Sequence, residues 1–240
     1  MRGRDRLRFL ELSVPAQDLR AACDFYAGLG FSLAEVGETR RHPYAVATDG
    51  RLCIGMHGLA DLEPTLCFVR PDLIAHLDRF EALGLTLELR RLGADVFNEI
   101  GWRDPGGNPV RLVEARTFSP SPAPPEHRTA CGYFREIALP AGDLAASRAH
   151  WESIGFVALD EDGPFGPCTI CTSDTLTLGL YDPRRMPRPT VIFESDDLGR
   201  VSAALTGRGA GVSADTEDGK IVGLRCDAPG GTPIRILRAD

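Results

Sequence analysis

The chain repeats itself. Residues 9–31 read FLELSVPAQDLRAACDFYAGLGF and residues 134–156 read FREIALPAGDLAASRAHWESIGF. A shift of 125 aligns the two without a gap, and nine of the 23 positions are identical. Later segments follow suit: Pro64-Thr65 matches Pro189-Thr190, and GGNPVRL at 106–112 matches GGTPIRI at 230–236. Each half must therefore fold as the same unit, and a structure assigned to one has to be repeatable in the other. The halves run over 1–117 and 131–240. Between them residues 118–130, FSPSPAPPEHRTA, are proline-rich and predicted to be an extended, semi-rigid linker.

Each half divides again. After a strand signal at 9–14, Asp18 can cap a helix whose stripe of Leu19, Ala22, Tyr26 and Leu29 stops near Gly28 and Gly30. Strand-like runs follow at 31–36, 43–48 and 51–57. The order then returns: a strand at 65–69, a helix over 72–83 carrying Leu73, Leu77 and Phe80, and strands near 85–90, 96–102 and 109–114. The second half does the same from 134 and from 190, which makes four strand-helix-strand-strand-strand units of about 50 residues each.

That order resembles the vicinal oxygen chelate superfamily, which includes glyoxalase I, bleomycin-resistance proteins and extradiol dioxygenases. The residues carrying the likeness are Leu12-Ser13-Val14-Pro15, Asp18-Leu19, Phe25-Tyr26 and Leu29-Gly30-Phe31. The turn Asp104-Pro105-Gly106-Gly107-Asn108 is a further match, and Ala228-Pro229-Gly230-Gly231-Thr232 is a weaker copy of it. The resemblance implies an α+β fold of four βαβββ units forming two tandem glyoxalase-like domains. Each would be a half-open β-barrel with helices outside and a cavity on its concave face.

Most enzymes of that superfamily hold one divalent metal in the cavity through His, Glu or Gln on the first and last strands of paired units. Carried onto this chain, those positions fall on Phe9, Gly55, Thr65 and Arg111, and in the second half on Phe134, Gly179, Thr190 and Arg235. None is a metal ligand, and a guanidinium has donors but no acceptor. The reading is a member without metal. A register shifted by two would instead offer Glu11, His57 and Glu136, with Tyr181 standing where His57 does, and would hold one divalent metal (Fe, Ni, Zn or Mn).

Strict alternation puts Leu10, Leu12 and Val14 under the helix and Phe9, Glu11 and Ser13 toward the cavity. It likewise turns Arg111 and Val113 inward. Each half then aims a carboxylate and a guanidinium at its cavity: Glu11 with Arg111, and Glu136 with Arg235. Such pairs either fill the vacated metal site as internal salt bridges or bind an anionic or carbonyl-bearing ligand. Thr65, Thr190, His57 and Tyr181 complete the candidate ligand-binding set. His42, Tyr44, Phe97, Asn98 and Trp102 are expected to line the first cavity, and Phe165, Cys171 and Tyr181 the second. The turn Asp162-Gly163-Pro164-Phe165-Gly166 reads as a flexible lip. Cys168 and Cys171 form a C-x-x-C, but on a strand the two thiols point to opposite faces, which poorly suits a redox or zinc pair.

Composition narrows the function classes. With 27 basic and 34 acidic residues the net charge is −7, which argues against nucleic acid or an anionic membrane as partner. No apolar run approaches the roughly 20 residues of a membrane span, and no signal peptide is legible, so a cytoplasmic protein is expected. Four units in one chain make a monomer self-sufficient and are compatible with a homodimer. The function expected is binding of a small organic molecule without metal, in sequestration, sensing or resistance. The alternatives are a metal-dependent lyase or dioxygenase, and a metal-free acid–base enzyme using Glu11 or Glu136.

Overall fold

A computed structural model describes residues 7–36, 40–94, 96–115 and 129–239. The N-terminal residues 1–6 and most of the proline-rich stretch, His127 included, lie outside the described residues. The first repeat contributes β1 (Arg8–Pro15), α1 (Leu19–Gly28), β2 (Ser32–Ala34), β3 (Tyr44–Thr48) and β4 (Cys53–His57). The second contributes β5 (Thr65–Arg70), α2 (Leu77–Ala82), β6 (Leu89–Arg91), β7 (Glu99–Arg103) and β8 (Pro109–Glu114). The third has β9 (Tyr133–Pro140), α3 (Leu144–Ser153), β10 (Val157–Gly163), β11 (Gly166–Thr172) and β12 (Thr177–Tyr181). The fourth has β13 (Thr190–Ser195), α4 (Leu198–Gly207), β14 (Ser213–Glu217), β15 (Lys220–Asp227) and β16 (Pro233–Arg238).

The strands form two eight-stranded mixed sheets, ordered β2-β3-β4-β1-β5-β8-β7-β6 and β10-β11-β12-β9-β13-β16-β15-β14. In each, a parallel pair (β5 with β8, β13 with β16) lies beside antiparallel hairpins. Both orders have free ends, so neither sheet is a closed barrel. The fold is α+β with the four units in tandem.

Three helices begin alike. Asp18, Asp143 and Asp197 sit at the N-caps of α1, α3 and α4, and each carboxylate accepts the backbone N–H three residues on, at 2.9 Å in every case. That contact satisfies one of the amides that a helix start leaves open. The second repeat has no such cap. Asp72 is held at φ 57°, the chain makes a 3₁₀ turn over Ile74–His76, and α2 covers only Leu77–Ala82. The helix expected over 72–83 is thus shortened because its first turn lacks a side-chain acceptor.

The described residues pack as two compact units, and each takes segments from both halves. One lies within Met1–Leu12, Pro64–Phe118 and Leu139–Pro187, the other within Ser13–Glu63, Ser119–Ala138 and Arg188–Asp240. The first is built on Phe68, whose ring meets Phe9 at 5.7 Å, Phe156 at 6.2 Å and Trp151 of α3 at 6.3 Å. The second is built on Phe193, which meets Phe31 and Phe134 at 6.0 Å each.

The two glycine-rich turns do equivalent work within these units. A Cβ on Gly106 would collide with the carbonyl of Pro140, and one on Gly230 with the carbonyl of Pro15. Only glycine allows the turn to press onto the end of a first strand. In the first turn Asn108 donates to Asp104 Oδ1 at 2.9 Å and to the Pro140 carbonyl at 3.0 Å. In the second, Thr232 is buried and its Oγ1 has no partner.

Candidate functional site

Which side chains share the helix-free face depends on register. Leu66 and Phe68 lie on the helix side, so Thr65, Cys67 and Val69 face the other way. Across β8 and β7 that second face carries Arg111 opposite Cys67 and Gly101, and Val113 opposite Val69 and Glu99. In the second half Ile192 pairs with both Glu136 and Arg235, and Arg235 with Arg225.

The alternation expected along the first strand of each half does not hold. Ile192 faces Glu136, yet its neighbour Phe193 faces Phe134, so Arg135 is an extra residue in a β-bulge. Phe134 and Glu136 therefore lie on opposite sides of the sheet, and Phe134 joins the aromatic core. Phe9 does the same in the first half through Phe68. Two of the positions carried over from the superfamily's first-strand ligands, Phe9 and Phe134, are thus core aromatics. Glu136 is the acidic first-strand residue on the helix-free face, and it is buried, as is Glu11.

Arg111 is half-buried and makes no hydrogen bond or ion pair with another described residue. The Glu11–Arg111 pair expected from alternation is therefore not formed. Gly101 lies opposite Arg111 in the ladder and adds no side chain there, while the nearby carboxylate of Glu99 is tied to Arg91 at 2.9 Å. In the second half Glu136 meets Arg135 at 3.9 Å, and Arg135 also reaches Glu194 at 3.3 Å. Arg235 is engaged, and its ladder neighbour Arg225 pairs with Asp215 at 2.8 Å.

Other candidates fall as follows. Thr65 and Thr190 are buried at the starts of β5 and β13, and the Thr190 hydroxyl donates to the Arg188 carbonyl at 3.0 Å. Tyr181 is fully buried against Phe165, ring centroids 5.6 Å apart. The lip is a tight hairpin, with Gly163 paired to Gly166 and Arg185 donating to the Phe165 carbonyl at 3.2 Å. Trp102 does not line the helix-free face. It stacks on Phe80 of α2 and donates its indole N–H to His150 Nε2 at 3.2 Å. Cys171 lies on the face opposite Tyr181 and Cys168, since its partner on β12 is Leu178. Phe97 is exposed, and Asn98 is spent on Glu114 and the Gly93 amide.

Sequence reasoning had no means of linking His57 to its partners. His57 closes β4, buried, and its Nδ1 lies 2.8 Å from Nε2 of His42 while its Nε2 lies 3.1 Å from the Ser13 hydroxyl. Tyr44, directly opposite His57 in the β3–β4 ladder, covers its ring at 4.7 Å. His42 sits in a loop, where no periodicity marks it, and only the ladder register brings it to His57.

These residues do not fit the superfamily's metal. Its last-strand positions hold Gly55, Arg111, Gly179 and Arg235, its first-strand positions hold Phe9, Thr65, Phe134 and Thr190, and among the described residues no three His, Cys, Asp or Glu side chains gather as a ligand set.

No family model matches the sequence, and no curated protein matches it either. Solved structures do. A catechol 2,3-dioxygenase superposes with a TM-score of 0.63 at 14% identity, over 98% of this chain and 89% of that one. An extradiol ring-cleaving dioxygenase from B. fuscum gives 0.63 at 17%, over 98% and 72%. The 2,3-dioxygenase LapB from Pseudomonas sp. KL28 gives 0.62 at 12%, over 99% and 94%. The fold is that of the extradiol dioxygenases. The extradiol dioxygenase fold accounts for both sheets and the tandem order of the four units. At such identities the likeness is one of fold, and function has to be argued from the site.

Proposed function

We propose that the chain binds a small organic molecule bearing a carboxylate or carbonyl group on the helix-free face of the first sheet. Binding uses no metal at the superfamily's ligand positions and serves sequestration, sensing or resistance. Arg111 carries this reading. A half-buried guanidinium without a protein partner among the described residues keeps its donors available to a ligand. Its planar fork of donors matches a carboxylate bidentately. A cytoplasmic monomer or homodimer belongs to the same proposal. Among the described residues no helix is long and apolar enough to cross a membrane.

The test is a thermal-shift screen of small aromatic and aliphatic carboxylates beside their neutral amides. Ligand at a hundred times its Kd stabilises by about 2.7 kcal/mol, a readable shift in Tm. Carboxylates should raise Tm where the matching amides do not. The fold likeness supports a second reading, a metal-dependent ring-cleaving enzyme. Turnover of catechol on addition of Fe(II), with no carboxylate response, would replace the first reading by that one.

A further inference from the structure

We infer that the outer edge of β10 is a pairing surface for a second copy of this chain, the two β10 strands lying antiparallel about a two-fold axis at Leu159. The surface belongs to one compact unit and needs neither Arg111 nor a ligand, so its failure would leave the carboxylate reading as it stands.

Four strands end the two sheets: β2, β6, β10 and β14. Three are poor templates for another strand. β2 and β6 have three residues each, and β6 carries Arg90 and Arg91. β14 is interrupted by an irregularity between Asp215 and Thr216. β10 instead runs seven residues in unbroken register with β11. Asp160 meets Arg148 of α3 at 2.6 Å, which puts Asp160 on the helix side and turns Val157, Leu159 and Glu161 to the other face. There Val157 and Leu159 are 72% and 61% exposed.

The hairpin register fixes which backbone groups are open. Its two-residue turn closes on Gly163 and Gly166, so Glu161, Leu159 and Val157 spend their amides and carbonyls on β11. Those of Ala158 and Asp160 point away from the sheet. Arg148 Nη2 reaches the Ala158 carbonyl on that side at a loose 3.4 Å, and a carbonyl keeps a second lone pair for a strand amide.

Charge selects the partner and the register. β10 begins apolar, with Val157, Ala158 and Leu159, and ends acidic, with Asp160, Glu161 and Asp162. An antiparallel copy lays each end on the other. Centred on Leu159, it sets Ala158 against Asp160 of the partner subunit and Val157 against Glu161 of the partner subunit, so no carboxylate faces another. Ala158 and Asp160 then exchange main-chain bonds in both directions, and the two Leu159 side chains meet at the closely spaced, non-hydrogen-bonded position. A register centred on Asp160 would oppose two aspartates and is disfavoured. Asp160 itself is already held by Arg148 and by the Thr169 hydroxyl at 2.7 Å.

Sedimentation velocity of the full chain tests this. An interface of one strand pair belongs to the small, transient class, so the dimer should appear as a rise in sedimentation coefficient between micromolar and sub-millimolar protein. Leu159→Lys, at an exposed position that leaves the fold intact, opposes two ammonium groups and should weaken the dimer at least about tenfold. Val157→Lys should preserve it, because the new ammonium meets Glu161 of the partner subunit. In hydrogen exchange the amides of Ala158 and Asp160 should be protected in concentrated protein and exposed in dilute protein, while that of Glu161, bonded to β11, is protected in both. Wild type that stays monomeric throughout, undiminished association of Leu159→Lys, or equal losses in Val157→Lys and Leu159→Lys overturns the assignment.

Discussion

In the first half the ladder that carries the central arginine runs Cys67, Arg111, Gly101, Leu89. In the second half the same ladder runs Ile192, Arg235, Arg225, Ser213. The strands pair in the same order, yet where the first half places a glycine beside its arginine, the second places another arginine, tied to Asp215. Duplication preserved the scaffold, while the charges on it diverged. The second half pairs Arg225 with Asp215 and leaves Arg235 engaged as well. The first has left one guanidinium to water or to a ligand. On the proposed reading, one of the two copies of the framework carries the ligand site.

The comparison can be broken at the turns, where the halves agree most. Gly106→Ala and Gly230→Ala should each lower stability by about 3 kcal/mol in urea unfolding, because the added methyl meets a carbonyl of a first strand. If one half tolerates the change, its turn is not pressed onto that strand.

A second test lies on the helices. His150 takes the place that Phe25 holds in the first half, and burial pushes its pKa down to about 4 from an ordinary value of 6.5. A depressed histidine binds fewer protons folded than unfolded, so its contribution is present above pH 6.5 and is lost as pH falls toward 4. Chemical denaturation across this window should show wild type losing about 2–3 kcal/mol by pH 4 relative to His150→Gln, which still accepts the Trp102 N–H. Parallel curves for the two proteins would remove His150 from the account.

The smallest effect sharpens the comparison between Asn108 and Thr232. Thr232→Asn should raise stability by about 1 kcal/mol by giving the second turn the hydrogen bonds of the first, and Asn108→Thr should lower it by a similar amount.

Much of the fold was legible because the repeat supplies its own control. The aspartates at 18, 143 and 197 announce helix starts by chemistry, and the glycine-rich turns mark the entries to β8 and β16. The weak helix of the second repeat was not legible, since Leu73, Leu77 and Phe80 keep helical spacing while the missing cap shortens the element. The candidate site was less readable. Alternation assigns faces only while the strand is regular, and one extra residue at Arg135 moved Phe134 into the core and left Glu136 on the other side. Arg111 could be placed on its face, but its lack of a partner depends on Gly101 and on Glu99 being claimed by Arg91. The contact of His42 with His57 joins a loop to a strand end 15 residues on, and no period in the sequence encodes it.

The most direct test of Arg111 as the working half of the duplication is calorimetric titration of the best carboxylate from the screen into wild type, Arg111→Ala and Arg235→Ala. A hydrogen bond to a charged group contributes about 1.5–3 kcal/mol, so Arg111→Ala should bind about 10–100-fold more weakly, with Arg235→Ala indistinguishable from wild type. Loss of binding in Arg235→Ala with Arg111→Ala unaffected would contradict the account and move the site to the second half.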